Sequence, residues 1–74
     1  MTTLGKAEKL QLIDSRVRQL DYKKYALELD IIVENAKNTP DTEAINVIEA
    51  SIAEIDTQLA ALDAELTAVN ALTE

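Results

Sequence analysis

Two ladders of apolar residues, each climbing in alternating steps of three and four, constrain this chain more than anything else in it. In the second half the ladder runs Ile45, Ile48, Ile52, Ile55, Leu59, Leu62, Leu66, Val69 without a miss. In the first half it runs Leu10, Ile13, Val17, Leu20, Lys24, Leu27, Ile31, with Lys24 as the one polar rung. Alternating steps of three and four keep side chains on one stripe of a helix and present that stripe to another helix. The expected fold class is therefore all-α: an antiparallel, coiled-coil-like helical hairpin.

The break between the ladders is Asn38-Thr39-Pro40-Asp41. Pro40 disfavours helical geometry at Thr39, so a first helix has to end before it. Thr39 can act as N-cap and Pro40 as first residue of a second helix, where its missing N–H costs nothing. Asp41 and Glu43 then lie at the positive end of the helix dipole. This predicts a first helix over about 3–36, a turn over about 37–40 and a second helix over about 40–71, all within one domain spanning 1–74. Folding at the turn pairs Ile31 with Ile45, Leu27 with Ile48, Lys24 with Ile52, Leu20 with Ile55, Val17 with Leu59, Ile13 with Leu62, Leu10 with Leu66 and the stem of Lys6 with Val69.

A chain of 74 residues buries only about 60% of its extended surface. Folds this small rely on disulfides, a metal, oligomerisation or very regular packing. The chain has no Cys and no His, which removes disulfides and leaves no ligand set for zinc. Packing and self-association remain. Helix 1 carries a second stripe that points the same way: Tyr22, Tyr25, Leu29, Ile32, Val33 and Ala36 lie nearly opposite its ladder. A hairpin covers one face only, and a contiguous apolar patch marks a partner site. These six residues are the expected protein-interaction surface, and the expected partner is a second copy, giving a dimeric four-helix bundle. The β-branched d residues Ile48, Ile55 and Val69 also favour more than two helices.

Charge complicates the pairing. With Leu10, Val17, Lys24 and Ile31 at a, a parallel homodimer would pair Lys9 with Asp14, Arg16 with Asp21 and Lys23 with Glu28, all opposite charges. The hairpin instead brings Asp14 near Asp63, Asp21 near Asp56 and Glu28 near Glu49. At an exposed surface each like pair costs a few tenths of a kcal/mol, far less than the ~1.5–3 kcal/mol per buried aliphatic side chain.

The same composition bounds function. All seven basic residues precede residue 38, and the stretch from Thr39 onward holds eight acids and no base, within a net charge of −7. With no Phe or Trp, the chain has little with which to stack bases or bind a phosphate backbone. Lacking His, Cys and a glycine-rich loop, it offers no thiolate, metal pair or phosphate cradle. Ser15 and Ser51 have no base of the usual type beside them. Glu54 with Asp56, and Asp63 with Glu65, are two apart and do not face each other on a helix. The expected protein is non-enzymatic, with no cofactor, metal or direct nucleic-acid contact. No segment approaches the ~20 apolar residues of a membrane span, and Met1-Thr2-Thr3-Leu4-Gly5-Lys6 lacks a signal-peptide core, so an intracellular location is expected.

The stretch from Ile13-Asp14-Ser15-Arg16-Val17-Arg18-Gln19-Leu20-Asp21-Tyr22, through Val33-Glu34-Asn35-Ala36, to Thr39-Pro40-Asp41 resembles small uncharacterised helical proteins of tailed bacteriophages, including those infecting cyanobacteria. The resemblance covers roughly residues 10–70 and carries no site residues. It implies a virion component, an assembly factor or a protein directed at a host target in the host cytoplasm. The leading expectation is thus a structural or interaction protein, a small helical oligomerisation, assembly or adaptor module. The alternative is an acidic inhibitor of a host protein, with the acids of helix 2 imitating nucleic-acid phosphates.

Overall fold

In the computed structural model, which describes residues 3–73, the first helix α1 runs Lys6–Asn35 and the second, α2, runs Thr42–Asn70. Met1, Thr2 and Glu74 lie outside the described residues. The helices lie side by side in a hairpin measuring 57 × 21 × 15 Å, and no strand occurs among the described residues. The predicted hairpin is therefore present.

The limits of the helices follow from their caps. Helix α1 starts at Lys6, later than the predicted Thr3, because Gly5 is extended (φ −74°, ψ 168°) and acts as N-cap. Its own N–H donates to Glu8 Oε1 at 3.3 Å, and that carboxylate also sits at the positive end of the helix. At the exit of α1 the Ala36 N–H is shared between Ile32 O, four residues back, and Val33 O, three back, and Lys37 N–H donates to Glu34 O three back, so the last turn tightens.

The start of α2 departs from prediction. Asp41, not Thr39, is the N-cap; its Oδ1 accepts from Ala44 N–H at 3.2 Å. Pro40 therefore precedes the cap instead of opening the helix. A carboxylate is a charged acceptor, and such hydrogen bonds are roughly twice as strong as neutral ones, so Asp41 outcompetes the threonine hydroxyl. Glu34 holds Asp41 from the other side: Glu34 Oε1 accepts Asp41 N–H at 3.0 Å and Oε2 pairs with Lys37 Nζ at 2.8 Å. The turn is thus clasped by one carboxylate with both oxygens occupied.

At the open end, Lys6 Nζ donates to Asn70 O and Leu72 O, each at 3.1 Å. The last turn of α2 has no basic residue of its own, and Lys6 of α1 supplies the cation that free C-terminal carbonyls favour. One side chain of α1 thus complements each end of the α2 dipole, Glu34 at the N-terminus and Lys6 at the C-terminus.

Between these clasps every rung of both ladders is buried or half-buried. Ile13, Ile55 and Val69 are the most enclosed, at 8%, 5% and 3% exposed. Leu20 lines one surface groove with Gln58, Ala61 and Leu62, and Leu27 lines another with Ser51, Glu54 and Ile55. The predicted neighbour of Lys24 is Ile52; its ammonium reaches one turn further along α2 to Asp56, Nζ to Oδ1 at 2.7 Å, in the direction that side chains lean, toward the N-terminus of their own helix. That hydrogen bond, reinforced by the carboxylate's charge, raises the ammonium pKa above its usual value. The acidic column predicted at Asp21–Asp56 is thereby neutralised at its centre.

Two outcomes follow. Ile55→Ala opens a cavity in a core one layer thick and is expected to cost roughly 2–3 kcal/mol, read as a lower urea midpoint. Glu34 has a pKa lowered from the ordinary 4.5, first by the hydrogen bond from Lys37 and then by that from Asp41 N–H. Its stabilisation is therefore complete above that ordinary value and is lost as pH falls through the lower folded value. Glu34→Gln should be less stable than the parent at neutral pH, and the difference should narrow in urea titrations carried down the acid limb.

Candidate interaction surface

A helix that buries one stripe in a hairpin leaves most of its circumference to water, and the side chains there are normally polar. The outer face of α1 is not. From Tyr22 to Ala36, every residue at the three heptad positions facing away from α2 is apolar: Tyr22, Tyr25, Ala26, Leu29, Ile32, Val33 and Ala36. All are exposed, with Tyr22 at 83% and Ile32 and Val33 above 60%. None of these residues belongs to the inner ladder. The structure places the six predicted contact residues on one continuous strip about 20 Å long at 1.5 Å per residue.

The spacing within the strip has its own order. Tyr22, Tyr25, Leu29, Ile32 and Ala36 step by three, four, three and four. This is the rule of the inner ladder, repeated on the back of the helix. A groove of about 680 Å³ on this face is lined by Arg18, Asp21, Tyr22, Tyr25, Ala26 and Leu29. Those six residues form two adjoining sets spaced i, i+3, i+4, i+7, the four-residue hole that accepts one knob of a facing helix.

Ala26, which is not among the six predicted residues, also lines this groove. Its signal is positional: it lies seven residues before Val33 on the same line. Leu12, one further repeat of two heptads up the same line, is 53% exposed, but Gln19 separates it from the strip.

The outer face of α2 is different. Ala50, Ala53, Thr57, Ala60, Ala64, Thr67 and Ala71 also step by three and four, and all are exposed and small. The hydroxyls of Thr57 and Thr67 donate back to Ala53 O and Asp63 O at 3.1 Å, so each is satisfied within its own helix. Val47 is the one large apolar side chain exposed on α2, at 66%. The acids Glu49, Asp56 and Asp63 line the flank of α2. Asp56 is taken by Lys24, which interrupts the row that a nucleic-acid mimic would present. Elsewhere Asp14 pairs with Arg18 at 3.0 Å on an exposed surface, worth little to stability.

Among the described residues, no three His, Cys, Asp or Glu side chains converge to hold a metal ion, and no helix is long and apolar enough to cross a membrane. Ser15 is exposed and Ser51 half-buried. No family model, curated protein or solved structure matches the chain.

Because the outer strip takes no part in the hairpin core, replacing it should leave the hairpin intact. Leu29→Asp and Ile32→Asp are each expected to change hairpin stability by no more than ~0.5 kcal/mol, measured by urea unfolding at the lowest usable protein concentration.

Proposed function

We propose that this protein is a non-catalytic helical assembly module that self-associates through the outer face of α1. The observation that carries the reading is the unbroken apolar strip from Tyr22 to Ala36, exposed in the hairpin and set at the spacing by which helices pack. Isolated exposed aliphatics occur on any surface. Seven apolar residues filling every outward heptad position over about four turns form a patch, and patches of this kind mark contact sites.

Surface area supports the same reading. The hairpin exposes 5758 Å², whereas a compact monomer of 8.1 kDa exposes roughly 4,500 Å². The excess of about 1,300 Å² is more than the ~800 Å² that each partner contributes to a standard interface. A core in which Ile13, Ile55 and Val69 are the only buried side chains among the described residues gains from a second layer of helices, which a second hairpin supplies as a four-helix bundle. The intramolecular seam has already used the a and d residues, so the opposite-charge pairs foreseen for a parallel homodimer through that seam are not the basis of assembly; the back of α1 is.

Light scattering across a concentration series tests this. The expected mass is twice the chain mass of 8.1 kDa, falling toward the single chain on dilution. The double variant Leu29→Asp, Ile32→Asp should stay at the single-chain mass with the helical circular dichroism of the parent. A parent protein that remains a single chain at every concentration would contradict the proposal.

A further inference from the structure

Resting on the self-association proposed above, we infer that two copies pair α1 against α1 in antiparallel orientation, about a two-fold axis at the level midway between Tyr25 and Leu29. The hairpins then overlap only near their turns and extend in opposite directions.

The strip itself selects this geometry. Extended by one rung, it reads Arg18, Tyr22, Tyr25, Leu29, Ile32, Ala36, with steps of four, three, four, three, four. The sequence of steps is the same in both directions, so a reversed copy falls into register with it. Tyr22 then meets Ile32 of the second copy, Tyr25 meets Leu29, and Arg18 meets Ala36. Every layer joins a longer side chain to a shorter one, and the spacing between helices stays even. Knobs from the second copy enter the groove between Tyr22 and Leu29, whose lining already has the form of adjoining holes. Such an isologous contact is self-complementary and closes at two copies.

A parallel pairing lacks these properties. It sets tyrosine against tyrosine at one end and Ala36 against Ala36 at the other, so the helices crowd at one end and part at the other. It also places Arg18 against Arg18 within the seam, where like charges repel. In the antiparallel pair the stem of Arg18 lies over Ala36 of the second copy, and its guanidinium reaches the C-terminal end of that α1. The last turn there has no basic residue, and a cation is favoured at that end.

Charge also selects α1 over α2. Helix α2 carries six acids and no base, so two α2 faces would repel. Helix α1 carries six of each. The small-residue face of α2 could receive the α1 strip only beside the acidic flank of Glu49, Asp56 and Asp63, and that contact would be heterologous and propagate into open arrays. In the antiparallel pair the single like-charge approach is Glu28 to its own mate beside the axis, exposed and screened by salt.

The chain has no cysteine, so one introduced thiol gives one spin label per copy. Gln11 is exposed and lies on the outer side of α1 beyond the predicted overlap. In the antiparallel dimer the two labels of Gln11→Cys stand about 50 Å apart along the axis at 1.5 Å per residue; in a parallel dimer they lie within about 15 Å. Pulsed dipolar spectroscopy on the labelled dimer should show the long distance. The short distance in a particle of twice the chain mass would overturn this geometry and leave self-association standing. A single-chain mass at all concentrations would overturn both. A mass that climbs without limit would overturn the closed pair in favour of an array through α2.

Discussion

The structure depends on a single seam. Two helices offer each other one stripe apiece, and the stripe exists because apolar residues recur every three and four positions. Burying it drives the pairing, since each aliphatic side chain moved out of water contributes about 1.5–3 kcal/mol. Yet a seam between two helices encloses little. Ile13, Ile55 and Val69 are the best-buried residues, and among the described residues no side chain is wholly removed from solvent. The thinness of this core is why a second apolar ladder on the back of α1 bears on the proposed assembly.

Charged side chains then set where the helices begin, end and meet. Glu34 holds Asp41 and Lys37 at the turn, Lys6 holds the final carbonyls of α2, and Lys24 ties the middle through Asp56. All three are reached from α1 to groups on α2 or the turn. The uneven sharing of charge between the halves is therefore not only a matter of net attraction. Bases and one well-placed acid on α1 answer the acids and the dipole of α2 at specific points, while the apolar rungs supply the energy between them.

Much of this was legible in the residues. The 3–4 ladders placed both helices, and all fifteen rungs, Lys24 among them, lie at the interface. The six predicted residues of the outer strip are all exposed on one face, as periodicity alone required. What could not be read depends on side-chain reach. Thr39 and Asp41 are both good caps by type; the cap is Asp41, whose carboxylate accepts from Ala44 N–H while Glu34 accepts its own N–H from α1. Lys24 was counted as an intruder facing Ile52 because a ladder records where a side chain starts and not where its end goes; four methylenes carry its ammonium to Asp56.

The central claim is that the outer ladder of α1 is covered when the protein assembles. The most direct measurement is a dilution series of amide spectra by nuclear magnetic resonance, with the chain uniformly labelled. Concentration-dependent shifts should gather on Arg18 to Ala36 and leave the outer face of α2, from Ala50 to Ala71, unmoved. Spectra that do not change with concentration, or changes confined to α2, would contradict it.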